Sequence, residues 1–162
     1  MNIHIEQSAF GPVRAVAAEH VVAHWLASQG DSPVLKGGRT RGHDIVNGDQ
    51  LVDAKLLVAA SNSDQKKYPG CTHKLRRDLW RAFDPARTTH LVFVEFPADW
   101  TGMSSTSFTE TVIRIRHEGI GLFLFSVAEF NEVLASGRAE AEEERWAYII
   151  LNRDWLEEHR VY

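Results

Sequence analysis

Three residues within twelve positions of one another have the types and spacing for metal-assisted chemistry: Asp44, Asp53 and Lys55. The stretch between them is Ile45-Val46-Asn47-Gly48-Asp49-Gln50-Leu51-Val52, and Asn-Gly between two apolar runs signals a β-hairpin. Residues two apart in a strand share a face, so Asp53 and Lys55 point the same way. If Asn47-Gly48 is a two-residue loop, Asp44 lies opposite Leu51; with a four-residue loop from Asn47 to Gln50, it lies opposite Asp53. Both registers put Asp44 on the face of Asp53 and Lys55, and a one-residue slip would break that parity. Two carboxylates held together repel unless a cation lies between them. Carboxylates without His or Cys favour Mg²⁺, with Mn²⁺ as a substitute. A lysine beside such a cation places positive charge where phosphoryl oxygens become negative, and it can position the attacking water. The alternative is a solvated hairpin face on which Lys55 pairs with both acids. Val52, Ala54, Leu56 and Val58 are expected on the opposite, core-facing side.

The elements that must position these groups follow from periodicity. Residues 13–29 read as a helix ended by Gly30, with Ala15, Val22 and Leu26 on one stripe. Glu19 falls on that stripe, where an acid is costly unless it is paired or binds metal. That makes it a candidate third carboxylate; the alternative is a Glu at the stripe's edge reaching water. His20 and His24 read as a polar flank. A short strand at 33–36 leads into the basic, glycine-rich loop Gly37-Gly38-Arg39-Thr40-Arg41-Gly42. Beyond the hairpin, residues 58–73 read as a loop and 74–83 as a helix. Strands are expected at 90–96, 120–125 and 146–151. Residues 107–117 suit a helix or a strand. A capping box, Ser126-Val-Ala-Glu129, opens a helix that Gly137 ends, and Asn152 caps a closing helix. The sum is a mixed α/β domain, a central sheet with helices packed against it.

In this order Glu19, a basic glycine-rich loop, Gly42-x-Asp44, a hairpin and Asp53-x-Lys55 resemble the PD-(D/E)xK nuclease superfamily. The helix around Glu19 and the loop after it look most like archaeal-type Holliday junction resolvases and Mrr-like nucleases. The resemblance implies a restriction-endonuclease-like fold with a central mixed sheet flanked by helices. It implies Mg²⁺ held by Glu19, Asp44 and Asp53, with Lys55 assisting hydrolysis of DNA. It also suggests a homodimer, because cutting both strands takes two sites. Three departures stand out: Asp53-Ala54-Lys55 replaces the Glu-x-Lys usual in the resolvases, His43 stands where proline is common, and 127–162 has no counterpart. Alternative functions are a structure-selective or repair nuclease, and a catalytically silent nucleic-acid-binding subunit of the same fold.

Whole-chain properties agree with a nucleic-acid partner once charge is mapped. The net charge is −4, yet residues 36–90 hold 11 Lys and Arg against 6 Asp and Glu, a net of +5. The remainder of the chain therefore carries −9, so one part suits phosphate and another keeps the protein in solution. Lys36, Arg39 and Arg41 precede Asp44 and could hold a flanking phosphate. Lys74, Arg77 and Arg81 share one stripe of the expected helix at 74–83, while Lys66 and Lys67 read as ordinary surface charge. The 162 residues suit one domain, with 127–162 as its C-terminal extension. A lone cysteine, Cys71, fits a reducing cytoplasm and leaves no disulfide framework; beside His73 it makes no zinc motif. No leader-like N-terminus is read, and no apolar run nears the ~20 residues that span a bilayer.

Overall fold

A computed structural model describes residues 10–36, 42–76, 84–97, 119–135 and 148–162. Their elements run α1 (Phe10–Ser28), β1 (Val34–Leu35), β2 (Ile45–Asn47), β3 (Gln50–Leu56), β4 (Val58–Ala59), α2 (Asn62–Lys67), β5 (Cys71–Arg76), β6 (His90–Glu95), β7 (Gly121–Ser126), α3 (Val127–Ala135), β8 (Tyr148–Asn152) and α4 (Arg153–Glu157). The fold is mixed α/β. A five-stranded sheet has the order β1-β2-β3-β6-β7, and a second sheet of three strands has the order β4-β5-β8. All neighbours in the first sheet are antiparallel except β3 and β6, which are parallel and joined by a crossover that contains β4, α2 and β5.

The apolar residues of the large sheet divide by strand parity between two clusters. Val52, Ala54, Val92, Val94 and Leu122 pack with Ala18, Val21, Val22 and Leu26 of α1. On the other face Leu91, Phe93, Phe123 and Phe125 pack with Val127 and Phe130 of α3, Leu151 of β8 and Leu156 of α4. The sheet is thus covered on both sides, and the segment 127–162 supplies part of the second cover. Phe93 and Phe130 meet edge-on at 5.3 Å between ring centres, one of the arrangements aromatic pairs prefer. Among the described residues no helix is long and apolar enough to cross a membrane.

The hairpin adopts the second of the two even registers and closes it further. Ile45 pairs with Val52, Val46 with Leu51 and Asn47 with Gln50, so the loop is Gly48-Asp49 and not Asn47-Gly48. Of the two loop residues Gly48 alone takes a positive φ, +58°, as a II′ turn requires at its first loop position. Buried Asn47 explains the shift: its Nδ2 donates to Asp31 Oδ2 at 2.9 Å and to Gln50 Oε1 at 3.1 Å, which draws it into the ladder.

Several expectations are corrected. Residues 58–73 are not a loop, and Lys74 does not open a helix. Val58 and Ala59 pair with Lys74 and His73, and residues 71–76 pair with β8. Long-range ladder bonds override the helical spacing of 74–76; residues 77–83 lie outside the described residues, as do 107–117. A capping box is formed inside this stretch: Ser61 Oγ accepts from Asp64 N–H, and the Asp64 side chain accepts from Ser61 N–H. Ala15 is exposed, so the core stripe of α1 is Ala18, Val21, Val22 and Leu26. Leu56 is half-buried, and Val58 belongs to β4 and is exposed, so only Val52 and Ala54 anchor the face opposite Asp53.

The last residues cover the outer edge of β7. Val161 N–H donates to Leu122 O at 2.8 Å, and Leu124 N–H donates to His159 O at 2.9 Å. The His159 ring stacks on Phe125, while Nδ1 meets Trp155 O at 2.9 Å and Nε2 meets Glu129 Oε1 at 2.8 Å. Burial opposes its protonation, but the Glu129 and Trp155 hydrogen bonds and the charges of Glu129 and Glu158 outweigh it, so its pKa is raised above 6.5. A raised folded pKa means that this contribution is complete below the unfolded value and is lost as pH rises through the folded one. The melting temperature should therefore fall across that window, and Glu129→Gln should flatten the fall. Thermal unfolding at a series of pH values checks this; equal slopes in parent and variant would refute it.

Candidate metal centre

Asp53 is presented by β3 between Val52 and Ala54, whose side chains face α1, so its carboxylate lies on the face of the second cluster. Leu91 stands beside it on β6, and Phe93 stands beside Lys55. Asp53 is 4% exposed. Lys55 Nζ lies 2.6 Å from Asp53 Oδ1. Asp44 immediately precedes β2, and its N–H donates to Val52 O at 2.9 Å. Its carboxylate reaches across the hairpin, where Oδ2 accepts the Ala54 N–H at 3.0 Å and Asp53 lies within hydrogen-bonding reach. Asp44, Asp53 and Lys55 thus converge as the strand parity requires.

The electrostatics of the pair follow from its burial. Desolvation pushes Asp53 up to about 7 from 3.8; Lys55 opposes this, while the hydrogen bond and charge of Asp44 reinforce it. Burial and Asp44 thus disfavour a second full negative charge at the pair near neutrality. Glu19 of α1 is half-buried, and its pKa is raised by desolvation and by the charge of Asp44, against the pull of Lys55. It stands near enough to feel both groups. Among the described residues, however, no three His, Cys, Asp or Glu side chains gather tightly enough to enclose a metal. The close set is two carboxylates and a lysine, with Glu19 outside it. That donor set suits Mg²⁺, which binds through one or two carboxylates and keeps several of its waters.

The backbone leading to Asp44 is tightly constrained. Gly42 takes φ +104°, and a Cβ there would lie 2.8 Å from Arg87 Cβ and 3.3 Å from Arg87 O. His43 is tied by Nδ1 to Arg87 O at 2.9 Å. Gly42→Ala should lose about 1–3 kcal/mol through strain and displacement of the chain before Asp44. Gly48→Ala, at φ +58° but facing open space, should lose less. Urea denaturation of both variants tests the order, and an equal or smaller loss in Gly42→Ala would refute it.

The proposed phosphate contacts fare unevenly. Lys36 is exposed, and its N–H donates to Asp44 O at 2.8 Å, so it lies beside the centre. Arg39, Arg41, Arg77 and Arg81 lie outside the described residues. Lys74 sits in β5, which removes it from the expected helical stripe. Arg87 was not anticipated: it packs on Gly42, two residues from Asp44, with its side chain 62% exposed. Only its place in the positive stretch 36–90 hinted at it.

Fold and site together define a mixed α/β protein with a buried Asp53, a half-buried Asp44 and a lysine at the hairpin of its central sheet. Compared with protein-family models, curated proteins and solved structures, the chain shows no match in any of the three.

Proposed function

We propose that this protein is a Mg²⁺-dependent endonuclease that hydrolyses DNA phosphodiester bonds. One observation carries the reading: buried Asp53 lies within hydrogen-bonding reach of half-buried Asp44, with Lys55 on the Asp53 carboxylate. A lone buried acid would need only its lysine; a pair that holds Asp53 near 7 gains from a divalent cation. The mixed sheet, with α1 packed on the hairpin strands, supports a restriction-endonuclease-like arrangement.

Asp44 and Asp53 would hold the cation, with Glu19 near enough to add its charge, and Mn²⁺ would be accepted in place of Mg²⁺. Bound there, Mg²⁺ supplies Lewis-acid stabilisation of the phosphoryl oxygens and a more acidic water. With the cation held there, Lys55 would direct its ammonium to a non-bridging phosphate oxygen or the attacking water. Lys36 and Arg87 hold the flanking backbone. The exposed pair of Arg87 with Asp84, at 3.4 Å, is weak enough to yield to phosphate.

Incubation of supercoiled plasmid with the protein tests the reading. Nicked or linear product that requires Mg²⁺ or Mn²⁺ and disappears with EDTA is the expected outcome. Intact plasmid under all these conditions, with a synthetic four-way junction and single-stranded DNA also uncut, would overturn it.

A further inference from the structure

Two adjacent threonines outside this chemistry bond the two arms of the acid-bearing hairpin, one the segment before β2 and the other β3. Thr88, 1% exposed, donates its hydroxyl to Gly42 O. Thr89 accepts the Leu51 N–H on Oγ1 at 2.8 Å and returns its own N–H to Leu51 O at 2.8 Å. Gly42 is two residues before Asp44, and Leu51 is two residues before Asp53. The threonines are therefore equivalent in offset, one for each carboxylate.

The element that bears them is itself well fixed. Asp84 O accepts the N–H groups of Arg87 and Thr88 at 2.9 and 3.0 Å, and Asp84 Oδ1 accepts that of Ala86 at 3.0 Å. Thr89 O accepts the Val127 N–H at 2.9 Å, which anchors the turn to the start of α3, and His43 adds its bond to Arg87 O. A buried hydroxyl needs a partner, but any nearby carbonyl would serve that need. These two select the carbonyl and amide groups that lead into the two acids. The two-residue loop joins β2 and β3 only at the far end of the hairpin. At the acid end, the Asp44 N–H bond to Val52 O and the Ala54 N–H bond to Asp44 Oδ2 tie the two arms, and the threonines hold the chain just before each acid.

We propose that Thr88 and Thr89 are positioning residues, a brace that sets the separation of Asp44 and Asp53. The proposal rests on the reading that these carboxylates receive the cation. Supports behind metal ligands are typically worth about 10–100-fold in affinity.

Thr88→Val keeps shape and removes only the hydroxyl, and Thr88→Ser restores it. Two measurements are needed. In metal-free protein, hydrogen exchange of the Ala54 amide reports on Asp44 directly, since that amide donates to Asp44 Oδ2. It should quicken about tenfold in Thr88→Val while β6 amides stay protected. By calorimetry, Mg²⁺ binding should weaken about 10–100-fold, and Thr88→Ser should return both values close to the parent. Unchanged Ala54 protection overturns the brace, as does quickening shared equally by β6, which would mark a general loss of stability. Unchanged Mg²⁺ affinity in the variant, where the parent binds Mg²⁺, overturns it too. A parent that binds no Mg²⁺ brings down the nuclease reading, and the exchange data still decide whether the brace exists.

Discussion

In Asp53→Asn protein, Mg²⁺-dependent DNA cleavage should fall by about three orders of magnitude, the scale on which losing one partner for developing charge is felt. The metal-free variant should at the same time be more stable than its parent at neutral pH. The sign follows from the raised pKa. Below the ordinary 3.8 both folded and unfolded Asp53 are protonated and contribute nothing. Between 3.8 and about 7 the unfolded carboxyl ionises first, so the parent loses stability as pH rises; above about 7 the penalty is complete. Asparagine cannot ionise and escapes it, although Lys55 loses its carboxylate partner, so the net gain is smaller. Melting temperatures in EDTA from pH 4 to 8, taken as the difference between variant and parent, cancel the other titrating groups. A difference that does not grow with pH would refute the account of the pair, and parental cleavage rates at saturating Mg²⁺ would remove Asp53 from the centre.

Lys55→Met should still take up Mg²⁺ at pH 8.5 yet cut DNA about 10²–10⁴-fold more slowly, the usual range for a positioned proton-transfer or charge-stabilising group. Methionine replaces much of the apolar stem, so the hairpin keeps its packing. Lys55 does more than face the substrate, however. Its charge and its hydrogen bond both lower the Asp53 pKa, so without it Asp53 grips its proton more firmly. Mg²⁺ must then displace that proton, and affinity in the variant should fall more steeply between pH 8.5 and 6.5 than in the parent. Calorimetry at the two pH values, beside a cleavage assay, separates these effects. An equal loss of Mg²⁺ affinity at both would mean that Lys55 is a strut of the hairpin and not a reacting group.

The centre was legible to the extent that strand parity governs it. With a period of two, either even register brought Asp44 to the side of Asp53 and Lys55, and the structure realises one of them. Local signals also located α1 up to Gly30 and the caps at Ser126 and Asn152, whose side chains accept from Glu129 N–H and Asp154 N–H. The stretch 58–76 misled because its strands are defined by partners far along the chain: His73 pairs with Ala59 and Leu151, and Lys74 with Val58 and Ile150. The capping box at Ser61 and Asp64 had the right spacing to reveal α2, within a segment whose polarity resembles a loop.

What the sequence determined by itself is therefore what short spacing dictates: the face shared by Asp53 and Lys55, the turn at Gly48, and the ends of several helices. Tertiary structure alone decided how buried Asp53 is, and so how firmly it holds its proton. It also placed Glu19 outside the close pair, brought Arg87 against Gly42, and set Thr88 and Thr89 on Gly42 and Leu51 across 46 and 38 residues. Desolvation and long-range hydrogen bonds depend on which distant segments the sheet order makes neighbours. No periodicity within a single segment encodes that order.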